Sequence, residues 1–295
     1  MPIEKHPFRI HNTSGDEIAG DIRIVAGSVN VPVVIISHGF TGFKDWGSIP
    51  YMAEQFALKG FCAVTFNFSH NGVRGDSEEF NAPEMFAVNT VSIELDDLKT
   101  VLYAVLKQTI LGLEKIDTNN IFMLGHSRGG GISIITVREN PVIRALAVWG
   151  SVVSFDRWTQ RFKHEWRTNG VRTVITHQPR GTLKMSPELL EDMEKNQERF
   201  TIEHSVENLQ CPLLIIHGAQ DVTVPESAAH RLYAAAKPDT AQLHIIPNTG
   251  HTFGAGHPFA EPTPALIEAI DLTVSFFQSN IADSTRDMTR EKNAA

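Results

Sequence analysis

The stretch IFMLGHSRGGGISII, residues 121–135, sets one serine among four glycines between two apolar runs. Ordering glycine costs more backbone entropy than ordering any other residue, so it weakens both strands and helices. A cluster of it in an apolar run therefore asks for a geometric reason. Gly125-His126-Ser127-Arg128-Gly129 fits the pattern G-x-S-x-G, with a strand-like run before it and a helical pattern after it. A sharp strand-to-helix turn holds such a serine in a strained conformation, and the residues two positions away must lack a Cβ for strand and helix to pass. The hydroxyl is then exposed at the carboxyl end of a sheet, beside a helix N-terminus that favours developing negative charge. Gly130 and Gly131 are expected to let the following helix sit close against the sheet. A glycine-rich turn that merely packs closely is the competing explanation. A phosphate loop would need G-x-x-x-x-G-K-[ST], which neither this stretch nor Gly39–Lys44 supplies. The dinucleotide fingerprint fails too, because serine stands where its second glycine belongs.

Outward from the serine, short apolar runs recur at 31–37, 61–68, 120–124, 143–149, 212–218 and 242–246. They are nearly continuous rather than alternating, as strands buried on both faces of a parallel sheet are. Helical patterns at 49–59, 88–110, 129–139, 225–237 and 263–278 separate most of them. That alternation predicts an α/β fold, a parallel sheet covered by helices. The opening segment FRIHNTSGDEIAGDIRIV predicts a hairpin turning at Ser14-Gly15-Asp16, hence an antiparallel edge. From Ser151 to about Glu207 no strand is evident, whereas SFDRWTQRFKHEW and SPELLEDMEKNQERF are amphipathic, the second with Ser186 as N-cap and Pro187 behind it. An excursion this long exceeds an ordinary loop and is taken as a helical insertion, or cap, over one end of the sheet. The expected organisation is a core of residues 1–150 and 208–280, a cap at 151–207 and a fraying polar tail at 281–295.

Composition bounds the function classes. The chain has 295 residues, 42% of them hydrophobic and 20% charged, and a formal net charge of −8. An acidic balance favours solubility and argues against a nucleic-acid footprint. No run reaches the about 18 residues that span a membrane, and the start lacks the apolar core of a signal peptide. Cys62 and Cys211 sit within apolar runs and are expected to be free buried thiols. The expectation is a soluble, cytoplasmic protein with no nucleic-acid or membrane partner, and at most self-association into a homodimer. No H-E-x-x-H or C-x-x-C occurs, so no metal site is expected.

A serine hydroxyl is a poor nucleophile until a base takes its proton, so Ser127 requires a histidine. In this architecture acid and base follow the serine, each at the end of a later strand. Asp221 follows PLLIIHG and His251 follows QLHIIPN. His257, further along the same loop, is the rival base. Glu226 is the rival acid, although it falls in a first helical turn where capping accounts for it. The oxyanion needs two backbone donors. The Arg128 amide, next after the nucleophile, is one. The Phe40 amide, in the loop after VVIIS, is the best candidate for the other, with His38 shaping that loop.

Together SHGF (37–40), GHSRGG (125–130), HGAQD (217–221) and GHTF (250–253), in that order, resemble the α/β-hydrolase superfamily. The likeness runs from about residue 30 to 280. Within the superfamily the chain is similar to the feruloyl/cinnamoyl esterase and dienelactone-hydrolase-like group. The resemblance implies a mostly parallel eight-stranded sheet flanked by helices, a helical cap after the sixth strand, no cofactor, and hydrolysis through an acyl-enzyme. It carries the nucleophile role to Ser127, the acid to Asp221, the base to His251 and the oxyanion donors to Phe40 and Arg128. Two features depart from the group. Serine replaces the cysteine of dienelactone hydrolases proper. FNFSHNGVRGDSEE (66–79) replaces the Asp-x-x-Gly-His-Gly usual in the esterases.

The insertion suggests the pocket. Trp149, Phe155 and Trp158, with Phe162 and Trp166, cluster around its start and would wall a site for an aromatic or medium acyl group, or would simply dock the insertion on the sheet. Arg157, Arg161, Lys163, Arg167, Arg172, Arg180 and Lys184 face only Asp156 and Glu165 between 151 and 184. They form a solvated helix face or a field that draws an anionic substrate. The expected activity is that of a serine carboxylesterase acting on a small-molecule ester. The alternatives are a serine aminopeptidase or acyl-peptide hydrolase, separable by aminoacyl anilides, and a non-catalytic ligand-binding homologue, separable by failure of a fluorophosphonate to label Ser127.

Overall fold

The computed structural model describes residues 1–177 and 180–282, without the side chains of His177 and Arg180. The chain opens with a hairpin of β1 (Ile3–His11) and β2 (Glu17–Val25), antiparallel from Ile3 opposite Val25 to His11 opposite Glu17. β3 (Val31–Ser37), helix α1 (Ile49–Leu58) and β4 (Cys62–Phe66) follow. Next come the short α2 (Pro83–Ala87), α3 (Val91–Leu106), β5 (Ile116–His126), α4 (Arg128–Glu139) and β6 (Ala145–Trp149). After the segment 151–207 the sheet resumes with β9 (Leu213–Gly218), α8 (Ser227–Ala235), β10 (Ala241–Ile246) and α9 (Pro264–Ser279).

The strands form one eight-stranded sheet in the order β1-β2-β4-β3-β5-β6-β9-β10. Only the β1–β2 and β2–β4 pairings are antiparallel. The continuous apolar runs are explained by helices on both faces. Val33 and Ile35 of β3 enter one core with Leu98 of α3 and Ile132 of α4, whereas Val34 and Ile36 enter the other with Phe56 of α1 and Phe277 of α9. β5 and β9 divide their side chains the same way, Ile121 and Met123 against Phe122 and Leu124, Leu213 and Ile215 against Leu214 and Ile216. Strand residues between the two cores are therefore mostly apolar, because neither face meets water. Both cysteines are free, and burial pushes their thiols up to about 12.

Between β6 and β9 lie α5 (Gln160–Asn169), the strands β7 (Arg172–His177) and β8 (Arg180–Met185), α6 (Glu188–Lys195) and α7 (Ile202–Glu207). The sequence suggested only helices here, but β7 and β8 pair as a separate antiparallel ribbon. The alternation that marks it is short: Val174, Thr176, Leu183 and Met185 are buried, whereas Thr173, Ile175, Thr182 and Lys184 are exposed. Ser186 does not cap α6. Its N–H donates to Ala87 O, its hydroxyl has no partner, and the cap position is Pro187. Among the described residues no helix is long and apolar enough to cross a membrane. The tail beyond 282 lies outside the described residues.

Candidate active site

Ser127 stands between β5 and α4 with φ 57° and ψ −120°, a strained conformation for a residue with a Cβ. The crowding around it explains the flanking glycines. A Cβ on Gly129 would lie 2.3 Å from the carbonyl oxygen of His38, and one on Gly125 would lie 2.5 Å from that of Gly129. Both obstacles are backbone and cannot rotate away. Gly130 faces both the end of β5, where a Cβ would lie 3.2 Å from the Gly125 carbonyl oxygen, and the segment after β6, whereas Gly131 faces the insertion. A Cβ on Gly130 would meet Ser151, and one on Gly131 would meet Ile202, Phe155 and Val152. The expectation for Gly131 is thus corrected: the helix face it clears carries residues that follow β6.

Asp221 follows β9 and His251 follows β10, so two parallel crossovers bring residues 124 positions apart to one point. The Ser127 hydroxyl lies 2.8 Å from His251 Nε2, and His251 Nδ1–H donates to Asp221 Oδ2 at 2.6 Å. Oδ1 of Asp221 accepts the amides of Thr223 and Val224 at 2.8 and 2.9 Å. Buried His217 directs Nε2–H at Val224 O, 2.9 Å away, and at Asp221 Oδ2, 3.3 Å away. Burial works to raise the pKa of Asp221, but the His217 and His251 ring N–H groups and the Val224 amide outweigh it and hold the carboxyl well below the usual range. An ionised carboxylate on Nδ1–H leaves Nε2 as the acceptor for the serine proton. Nε2–H of His126 donates to His251 O at 2.9 Å and steadies its backbone. Desolvation pushes His126 down to about 3, so it is neutral.

His257 and Glu226 are elsewhere. His257 Nδ1 accepts the Gly47 amide at 3.1 Å, with its ring stacked on Trp46, and Glu226 sits before α8 against His230.

The loop after β3 abuts the serine: a Cβ on Gly39 would lie 3.0 Å from Ser127 Cβ. His38 is buried, and desolvation pushes it down to about 4. Its Nδ1–H donates to Gly39 O at 2.9 Å while Nε2 accepts the Phe68 amide at 3.3 Å, a tautomer only the neutral ring provides. The unusual loop after β4 clamps the same segment. Asn67 Oδ1 accepts the Lys44 amide at 2.7 Å, and Asn71 Nδ2 donates to Gly42 O at 3.2 Å. The amides of Phe40 and Arg128 have no acceptor among the described residues.

Above Ser127 opens a cavity of about 510 Å³, lined by Phe40, Trp46, Arg128, Phe155, Trp158 and Ile175, among others. Phe155 and Trp158 therefore face it. Trp149 does not. Alternation along β6 turns it to the opposite core, where it is 1% exposed, packs on Phe253 and donates Nε1–H to Thr273 Oγ1 at 3.0 Å. Its expected place in the pocket is corrected by that register. Trp166 lies beneath Trp158, edge to face at 5.2 Å, and donates to Met185 O at 3.0 Å. Of the expected cations, Lys163 pairs with Asp156, Arg161 with Glu165 and Arg167 with Glu194. The side chain of Arg180 lies outside the described residues.

Several residues around the site escaped the sequence reading. Glu94 of α3 takes Arg128 Nε–H at 2.7 Å, and His126 and His217 hold the loops. Glu94 had a signal, a carboxylate three residues after Val91 on the apolar face of its helix. His217 had one too, a polar ring ending a fully buried strand.

The model of the prolyl oligopeptidase family (Peptidase_S9) matches residues 51–282. Among curated proteins, the Bacillus subtilis (strain 168) protein named "Putative esterase YitV" is 28% identical over 208 residues, 70% of this chain and 75% of that one. "Uncharacterized peptidase YuxL" of the same organism is 25% identical over 241 residues, 79% of this chain and 33% of that one. Among solved structures, Est1E of Butyrivibrio proteoclasticus with bound ferulic acid superposes at a TM-score of 0.69 and 20% identity, covering 94% of this chain and 100% of that one. At that identity the likeness is one of fold, the α/β-hydrolase fold.

Proposed function

The chain belongs to the prolyl oligopeptidase family of serine hydrolases, and within it we propose a carboxylesterase for small esters that works through an acyl-enzyme. The observation that carries this is the unbroken relay from Ser127 Oγ through the His251 ring to Asp221. Ser127 attacks the ester carbonyl as His251 Nε2 takes its proton. The ionised Asp221 stabilises the imidazolium that forms. The free amides of Phe40 and Arg128 receive the oxyanion, Arg128 from the first turn of α4, where N–H groups have no helical acceptor. His251 returns the proton to the leaving alcohol, and water repeats the cycle to release the acid. Phe155 and Trp158 border the acyl site. Residues 151–207 act as its cap on the core of 1–150 and 208–280.

Ser127→Ala tests the reading: turnover of p-nitrophenyl butyrate should fall by about four orders of magnitude or more, and fluorophosphonate labelling should vanish. Retained turnover would sink it. A second reading, cleavage of a peptide or aminoacyl amide by the same residues, is favoured by the family and by the peptidase name of one relative. Aminoacyl p-nitroanilides assayed beside the esters separate the two: a kcat/KM for anilides above that for esters would make the chain a peptidase.

A further inference from the structure

The cavity over Ser127 is charged in one sense. Two arginines, Arg128 and Arg157, line it, and no aspartate or glutamate does among the described residues. Arg128 is 8% exposed, with its guanidinium 6.0 Å from the Phe40 ring and 5.3 Å from the Phe155 ring, both of them walls of the cavity. Of its five donors only Nε–H is used, by Glu94. Neither terminal nitrogen bonds to a described residue, and Nη2 is fully buried without a partner. This is unusual, because a guanidinium paired with a carboxylate commonly gives it two parallel hydrogen bonds. Here Glu94 is held on the other side by Asn89 Nδ2 at 2.9 Å and takes Nε alone. The arrangement anchors the arginine while leaving its terminal edge, two nitrogens in one plane, unspent. Burying polar donors without an acceptor costs stability, so a fold that keeps them has a use for them.

Glu94 balances the charge of Arg128, so net positive charge comes from the rim. Arg157 is exposed there, and Arg172 lies 5.0 Å over Trp158, a second wall residue. No carboxylate lies within ion-pair distance of either among the described residues. Arg161, Lys163 and Arg167 are neutralised by their carboxylate partners, whereas Arg157 at the rim and Arg172 against Trp158 have none among the described residues.

We propose that the substrate is an ester carrying a carboxylate, and that the Arg128 side chain, with Arg157 at the rim, selects for it. The inference rests on the esterase reading, because it places the carboxylate in the cavity where Ser127 meets the ester. A carboxylate oxygen in the cavity can accept a charge-assisted hydrogen bond from the guanidinium, and the aromatic walls exclude the water that would weaken the contact. Half-esters of dicarboxylic acids and acyl esters of hydroxy acids both have this chemistry.

The test compares kcat/KM for mono-p-nitrophenyl adipate with that for p-nitrophenyl hexanoate, and for p-hexanoyloxybenzoate with that for phenyl hexanoate. The first pair puts the carboxylate on the acid, the second on the alcohol. The charged member of at least one pair should be favoured about tenfold or more, the usual scale of a charged hydrogen bond. Arg128→Gln strands buried Glu94, so the working variant is Glu94→Gln/Arg128→Gln, in which that preference should fall to about one, whereas Arg128→Lys should recover part of it. If the double variant does not fold, exposed Arg157→Gln serves, with the preference expected to drop several-fold. No preference in the wild type, or a preference these variants leave intact, overturns the proposal. Binding of adipate against hexanoate to Ser127→Ala, followed by calorimetry, separates this from the esterase reading. Turnover through Ser127 without selectivity sinks the inference alone. If Ser127→Ala keeps its turnover, the esterase reading falls. The inference, which rests on that reading, then falls with it; with turnover through Ser127 established, adipate binding that the added Glu94→Gln/Arg128→Gln changes abolish upholds the inference, and its absence overturns it.

Discussion

The two walls of the cavity are built by different means. On the sheet side, the elbow and the loop after β3 are held by backbone against backbone, with glycine positions where a single Cβ would strike a carbonyl oxygen at 2.3 or 2.5 Å. On the insertion side, the wall is held by side chains: Trp166 bonded to Met185 O, Trp158 edge-on to Trp166, and the Arg172 guanidinium within 5.0 to 5.5 Å of the centres of three rings. A backbone-locked wall places reacting atoms and tolerates no substitution. A wall of side chains shapes what enters and can be repacked.

The comparison predicts graded effects. His251→Ala should lower ester turnover about ten-thousandfold, while His257→Ala, which loses contacts with Gly47 and Trp46 away from Ser127, should leave it within a few-fold. The reverse outcome would move the base and break the sheet-side account. The neutral rings on that side make it sensitive to acid. The folded pKa of His38 lies at about 4, below its unfolded value of 6.5, so its stabilising contribution is complete above 6.5 and is lost as pH falls toward 4. It amounts to about 3 kcal/mol. His38→Gln should therefore flatten the decline of the urea midpoint between pH 6.5 and 4, leaving the share due to His126. An unchanged slope would remove His38 from the acid response. Gly129→Ala should cost kcat about a hundredfold, because displacing the loop by an ångström misplaces the oxyanion donors. KM for a small ester should change far less, and a fully active alanine variant would show that the crowding relaxes. The smallest effect belongs to the insertion. Trp166→Phe removes one hydrogen bond and should cost about 1 kcal/mol of stability, with kcat for p-nitrophenyl acetate unchanged within about twofold. A large loss of kcat there would mean that both walls position the chemistry.

The same division explains how much was legible in the chain. β3, β5, β6 and β9 stood out because a strand buried on both faces has no freedom to be polar. The elbow stood out because strained backbone demands glycine at fixed spacing. Ser127, Asp221 and His251 could be singled out as candidates because each follows a strand, so chain order alone narrows the choice. The insertion resisted for the opposite reason. Its ribbon buries only Val174, Thr176, Leu183 and Met185 within the described part, too brief an alternation to override the helical patterns beside it. Trp149 was misplaced because a run apolar on both faces does not reveal which face a given residue takes.

What the sequence determined by itself, then, is the sheet, the crossovers and the candidate residues at strand ends, all consequences of local backbone and burial constraints. Only the tertiary structure decided which side chains meet across the site. Glu94 holds Arg128 from 34 positions away, Asn71 reaches Gly42 across 29, and the His251 ring meets Ser127 across 124. Such contacts depend on the register and packing of whole elements, a property of the assembled fold that no local stretch encodes.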